Sequence, residues 1–297
     1  TVLPWRAFAG AQLANEFKTP AGTITVHPVS HASVVLETPG GTIYVDPVGD
    51  AGMYGDFPAP DLILVTHEHG DHYNAETLTA LLGENTTLIT NPAVHDMLPE
   101  DMKARAQSMG NGDTTKWGEV SIEAIPAYNL TAERVNFHPE GRDNGYVLNF
   151  GDYRVYLSGD TEDIPEMRAL EGIDLAFVCM NLPFTMDVEQ AASAVAEFKP
   201  TYVYPYHYHG QDGGTQDPVA FAERLYHAVR SGEWLIVVSL VLVGLTYLAR
   251  RFAGRLVPWL TTDRGGVVLA FSLSLLGAIA SALWAGERPD LQMALAA

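Results

Sequence analysis

The sequence predicts an α+β domain of two mixed β-sheets packed face to face with helices outside. Three observations carry that expectation. Short β-branched runs are joined by tight turns, as hairpins require. Other apolar runs alternate with helix-like segments, as parallel strands require. The chain is also 47% hydrophobic over 297 residues, enough for a large core.

The elements follow in order. Thr23–Val26, Ser33–Glu37 and Thr42–Val45 are β-branched runs, the last two joined through Pro39-Gly40-Gly41. Leu62–Val65 is a continuous apolar strand of the kind buried on both faces. Asn74 can cap a helix reaching Leu82, before a strand at Thr87–Thr90 and a helix near Ala93–Leu98. Val120–Ile125, Tyr146–Phe150 and Tyr153–Leu157 read as strands, the last pair turning through Gly151-Asp152. Asp174–Cys179 is a strand, Val188–Phe198 a helix that ends before Pro200, and Thr201–Tyr204 a strand again. The alternating Tyr202, Tyr204, Tyr206 and Tyr208 suit strand packing, with Tyr208 a candidate to face a site.

Charge divides the chain. The net formal charge is −19; residues 1–230 carry 12 Lys and Arg against 32 Asp and Glu, while 231–297 are nearly neutral. So acidic a surface argues against a nucleic-acid partner, because phosphate contacts need a basic face. The neutral tail holds two apolar runs, Trp234–Ala249 and Gly265–Gly286, separated by Arg250-Arg251-Phe252-Ala253-Gly254-Arg255 and Arg264. The second has the roughly 20 residues that span a bilayer core, and the first reaches the short limit with snorkelling flanks. A transmembrane helical hairpin is expected there, with the arginine-rich loop cytoplasmic and the domain on the periplasmic or extracellular side. Two buried helices are the competing reading. The expected organisation is an N-terminal extension at 1–22, a domain at 23–230 and the hairpin at 231–297. Thr1 is consistent with a removed export leader.

The chemistry concentrates in Thr66-His67-Glu68-His69-Gly70-Asp71-His72, directly after the strand at 62–65. Three imidazoles and a carboxylate this close need more polar partners than a core supplies. Imidazole and carboxylate together suit zinc, iron or manganese. Ser158-Gly159-Asp160-Thr161 and Pro205-Tyr206-His207-Tyr208 each follow a strand. The sole cysteine, Cys179, lies in an apolar strand, which excludes an internal disulfide framework and makes it a core residue.

These segments resemble the metallo-β-lactamase superfamily over about residues 23–225. Its His-x-His-x-Asp-His signature matches His67, His69, Asp71 and His72 without a gap, and the 158–161 and 205–208 segments follow in the family's order. The subgroup most resembled includes ascorbate-6-phosphate lactonase-like and N-acyl-phosphatidylethanolamine phospholipase D-like enzymes. The resemblance implies a four-layer αββα sandwich and a metal-dependent hydrolase with two divalent ions, zinc first, iron or manganese otherwise. It implies that His67 and His69 hold one ion, that Asp71, His72 and His207 hold the other, and that Asp160 bridges them. Asp71 would also move a proton between water and leaving group. Where the family usually supplies another histidine, this chain has Pro126-Ala127-Tyr128-Asn129, so His138 in the following loop is expected to complete the first ion's ligands.

Other polar residues carry weaker expectations. His209, two residues after His207, is a candidate to touch substrate or support a ligand, against a solvated histidine. His31 and Asp46 sit at strand ends, and similar segments border the active site in the subgroup resembled, which implies a part in supporting a ligand; Asp46 fits ordinary turn chemistry equally well. His27, His95 and His227 read as structural. The substrate is expected to be a small-molecule ester, lactone or amide, or else a membrane lipid cleaved by a phospholipase D-like phosphodiesterase. An iron-bearing redox protein or a non-catalytic metal-binding membrane protein is the third reading. Oligomeric state is not legible.

Overall fold

The computed structural model describes residues 15–208 and 216–230. Both apolar runs of the expected hairpin, and His209, lie outside the described residues. Among the described residues no helix is long and apolar enough to cross a membrane. Contacts divide the chain into units 1–226 and 227–297, and both sheets belong to the first.

Leu62–Val65 is buried along its whole length, so both of its faces need cover, and the architecture supplies it. The first sheet runs, in spatial order, β1 (Asn15–Thr19), β2 (Gly22–Ser30), β3 (Ser33–Thr38), β4 (Gly41–Val45), β5 (Leu62–Val65), β6 (Thr87–Thr90) and β7 (Ala106–Ser108). The second contains β8 (Thr114–Trp117), β9 (Val120–Ala127), β10 (Asp143–Phe150), β11 (Tyr153–Leu157), β12 (Leu175–Cys179) and β13 (Tyr202–Tyr206), also in sequence order across the sheet. Pairing is antiparallel from β1 to β4 and from β8 to β11, and parallel from β4 to β7 and from β11 to β13.

Parallel neighbours need crossovers. Most are helical: α1 (Ala75–Leu81) between β5 and β6, then α2 (Pro92–Met97) and α3 (Glu100–Lys103) before β7, with α4 (Pro165–Arg168) and α5 (Val188–Phe198) serving the second sheet. Asn74 caps α1 through Thr77 N–H at 2.9 Å. Asp187 and Gln190 exchange both bonds of a capping box at the start of α5, which ends at Lys199 in a left-handed conformation just before Pro200.

Strand periodicity sorts the core into layers. Val35, Tyr44, Ile63, Val65 and Leu88 face the helices, packing with Leu78, Val94 and Met102. On the other sheet, α5 buries Ala191, Ala194, Val195 and Phe198, with the Phe198 ring meeting Tyr156 at 6.0 Å. The sheets meet through Phe17 against Tyr202 and Tyr204, and through Tyr146, whose hydroxyl donates to Val65 O at 3.0 Å. The result is the expected αββα sandwich.

Several elements differ from expectation. β1 lies inside the stretch read as an extension, and the sequence pattern does not announce β7, β8, α3 or α4. β1 buries one side chain, Phe17, and β7 none, so neither carries an apolar signal. Strands legible from sequence, such as β5, β6 and β11, keep their expected bounds.

Candidate metal centre

Both sheets send the carboxyl ends of their parallel strands to one edge, where open α/β sheets leave a crevice. His67 and His72 follow β5, Asp46 follows β4, Asp160 follows β11, Asn181 follows β12 and His207 follows β13. His31 occupies the β2–β3 turn, and His138 the loop between β9 and β10. Four non-glycine residues among those described have positive φ, and three of them, His31 (56°), Asp46 (43°) and His207 (46°), stand at this edge. Such conformations cost energy and persist where surrounding structure enforces them.

Gly159 shows the enforcement. Its φ is +60°, and a Cβ there would lie 2.6 Å from Asn144 O. Only glycine permits this approach, which turns the chain out of β11 and presents Asp160.

His67, His72, His138 and His207 are each oriented from behind. Asp46 accepts from Thr66 N–H at 2.7 Å, from the Thr66 hydroxyl at 2.7 Å and from His72 Nδ1 at 2.7 Å. Because Thr66 spends its proton on Asp46, its oxygen accepts from His67 Nδ1 at 3.0 Å. His138 Nδ1 donates to Asp143 Oδ2 at 3.0 Å, and Arg142 Nε holds the other Asp143 oxygen at 2.6 Å. The Asn181 amide meets His207 Nδ1 at 3.1 Å. With Nδ1 committed, the Nε2 atoms of His67, His72 and His138 face inward, the arrangement that fixes metal-ligating histidines.

The inward atoms converge. His67 Nε2 and His69 Nδ1 are 3.1 Å apart. Asp160 Oδ1 lies 3.4 Å from His72 Nε2, while Oδ2 lies 3.5 Å from His138 Nε2 and 3.4 Å from His207 Nε2. Asp71 Oδ2 is 3.4 Å from His207 Nε2 and 3.6 Å from His31 Nε2. Three groups keep all donor atoms within 4.8 Å: His67–His69–His138, His67–His72–Asp160 and His31–Asp71–His207. His72 Nε2, His207 Nε2 and Asp160 Oδ1 are buried without hydrogen-bond partners. Orphaned lone pairs at such a cluster are what a cation would satisfy.

Electrostatics follow burial and partners. Burial, aided by His72, holds His67 well below the ordinary imidazole value of 6.5, and burial with His138 lowers His69. Burial also pushes His72 down, but Asp160 and Asp46 outweigh it and hold His72 well above 6.5. For Asp160, burial is overcome by His207 and His72, and for Asp71 by His207 and His31; both carboxyls stay well below the usual range. Burial raises the Cys179 thiol to about 12, so it is no nucleophile at neutral pH.

The structure thus brings together His67, His69, Asp71, His72, His138, Asp160 and His207. His31, expected only to border the site, stands within a cluster of donors. Asp46 supports His72 and Thr66 from beneath. Asn129 ties down the loop that carries His138: its Nδ2 donates to Arg134 O and Phe184 O, and its backbone N–H to His138 O at 2.8 Å. Sequence reasoning missed Asp143, Asn181 and Glu162. The buried Glu162 carboxylate accepts from Leu130 N–H at 2.7 Å, Thr131 N–H at 2.6 Å and Arg134 Nη1 at 2.7 Å, joining that loop to the Asp160 segment.

The beta-lactamase superfamily domain matches residues 25–207. A UPF0173 metal-dependent hydrolase of Oenococcus oeni is 30% identical over 175 residues, 56% of this chain and 76% of the relative. Its counterpart in Pyrococcus furiosus is 33% identical over 171 residues, 56% and 74% of the two chains. The crystal structure of a protein described as a metal-dependent hydrolase from Parabacteroides distasonis shares 40% identity, with a TM-score of 0.64 over 75% of this chain and 96% of that one. Fold, strand-end site and similarity agree, and the chain belongs to the beta-lactamase superfamily, in the family of the UPF0173 metal-dependent hydrolases.

Proposed function

We propose that this metal-dependent hydrolase works with two adjacent divalent ions, zinc first among them, on a small-molecule ester, lactone or amide. The observation that carries the reading is the donor spacing. Metal–ligand bonds of 2.0–2.1 Å give a tetrahedral edge of about 3.3–3.4 Å. Neighbouring donor atoms lie 3.1–3.6 Å apart across the site. A bound cation would hold donors at that spacing and would satisfy His72 Nε2, His207 Nε2 and Asp160 Oδ1, which are buried without hydrogen-bond partners.

His67, His69 and His138 would hold one ion, Asp71, His72 and His207 the other, with Asp160 shared between them. When bound, such ions supply Lewis acidity, making water a better nucleophile and polarising a carbonyl or phosphoryl oxygen. The chain's own groups do the rest. Thr66, Asp46, Asp143 and Asn181 keep the imidazoles in place, so no reorganisation is needed during reaction. Asp71, held ionised, accepts a hydrogen bond from attacking water and hands the proton towards the leaving group. Metal quantification of purified protein, with turnover on a panel of esters, lactones and phosphodiesters, tests the reading. Two ions per chain with ester or lactone hydrolysis is the expected result; iron with colour and no hydrolysis would move it to the redox alternative.

A second reading, a phosphodiesterase acting on membrane lipid, is favoured by the apolar runs at 234–249 and 265–286. It places the chain at a membrane, with the domain on the periplasmic or extracellular side. Release of phosphatidic acid from phospholipid vesicles distinguishes it. Removal of residues 231–297 is then expected to abolish vesicle association while leaving the metal content unchanged.

A further inference from the structure

His31 is the one imidazole at the site that precedes the signature in the sequence. Its Nε2 is 3.6 Å from Asp71 Oδ2, and its ring centroid is 4.3 Å from that of His207. With Asp71 and His207 it forms a group whose donor atoms all lie within 4.8 Å of one another, as those of His67, His69 and His138 do. Turn chemistry does not ask for histidine here: at φ 56° glycine or asparagine would relieve the backbone. His207, also left-handed, donates its N–H to His31 O at 3.3 Å. Two strained residues are therefore tied to each other, which fixes the relative placement of their imidazoles.

We propose that His31 is itself a metal ligand, giving its Nε2 to the ion held by Asp71 and His207. This rests on the two-ion reading and adds a neutral donor to the half of the site that otherwise has two carboxylates and two imidazoles. The bland role for His31 is that of a hydrogen-bond donor to Asp71. Glutamine separates the two roles, since its amide donates a hydrogen bond but is a poor ligand for such ions.

The test uses the full chain stripped by chelator, then titrated with Co(II) and with Zn(II) by calorimetry and, for cobalt, visible absorption. Wild type is compared with His31→Ala and His31→Gln, and circular dichroism of the metal-free proteins reports folding. His31→Asn, which suits the left-handed turn, replaces either variant that misfolds. In both variants one ion is expected to bind as in wild type. The other weakens by at least ~100-fold, the upper end of what loss of a supporting partner costs, and its cobalt bands shift. Wild-type affinity and bands in His31→Gln would reduce His31 to a donor and overturn the proposal, as would an unchanged His31→Ala. Should wild type bind only one ion, the two-ion reading fails by itself. His31 is then judged on that ion: weakened binding in both variants upholds it, unchanged binding overturns it.

Discussion

The two halves of the site are built differently. One gathers three imidazoles, His67, His69 and His138, with His67 and His138 fully buried. The other gathers Asp71 and His31, whose side chains remain 28% and 25% exposed, around the buried His207. The enclosed half offers imidazoles only, so an ion there would be balanced by Asp160 alone and keep most of its charge. The open half contributes a carboxylate of its own and meets solvent. Asp160 is the residue the two halves share.

The division between the halves is most severely tested at Asp160. In our reading its carboxylate serves both halves, so Asp160→Ala is expected to cut metal content from two ions per chain to less than one and abolish turnover. Full stoichiometry in that variant, read by atomic emission, would show that the halves are independent. His138→Ala separates them: one ion is lost and the other retained. Asp143→Asn, which keeps His138 but removes its ionic partner, is expected to weaken the same ion by about 10–100-fold, the usual cost of losing such support. Loss of both ions in either variant would contradict the division.

Gly159 tests how far the shared carboxylate depends on backbone. Gly159→Ala places a Cβ 2.6 Å from Asn144 O at φ +60°, whereas Gly151→Ala, at φ +67°, meets nothing within 4 Å. The second substitution is expected to cost only the left-handed strain, about 1–2 kcal/mol. The first should cost more in thermal unfolding and also weaken both ions. Equal effects would mean that the Gly159–Asn144 approach does not position Asp160.

What could be read from sequence depended on how local the information was. His67, His69, Asp71 and His72 lie within six residues on one strand end, so their spacing alone reveals a cluster. Asp160 and His207 needed the order of segments, and His138 the observation that Asn129 left a place unfilled. Asn181 and Glu162 were illegible because each acts between distant segments: Asn181 meets His207 only once β12 lies beside β13, and Glu162 reaches Arg134 from 28 residues away. Asp143 is only five residues from His138, but nothing local shows the loop folding back to pair them. His31 was visible but undervalued, since nothing local shows a turn histidine reaching the end of β13, more than 170 residues away. The fold shows the same divide. Central strands announce themselves by apolar runs, while the edges β1, β7 and β8 are half exposed and their sequences, such as Thr114–Trp117, carry little pattern.

The finest distinction between loaded and empty site is in its protons. In the metal-free protein Asp160 and Asp46 hold His72 well above its ordinary 6.5, so folding takes up a proton there. A raised folded pKa contributes stability that is fully present below 6.5 and is lost as pH rises through the folded value. Metal binding needs the same Nε2 as a lone pair, so it must expel that proton. The rise in Tm on adding zinc is therefore expected to grow as pH climbs above 6.5, because the stability that protonated His72 gives the empty protein fades while the loaded one competes with fewer protons. Calorimetric titration in buffers of different ionisation enthalpy should report proton release at pH 6.5, diminishing only as pH passes the folded value of His72. A zinc-dependent Tm shift that stays flat over this range would mean that His72 is not displaced by the ion, and the open half of the site would have to be assigned without it.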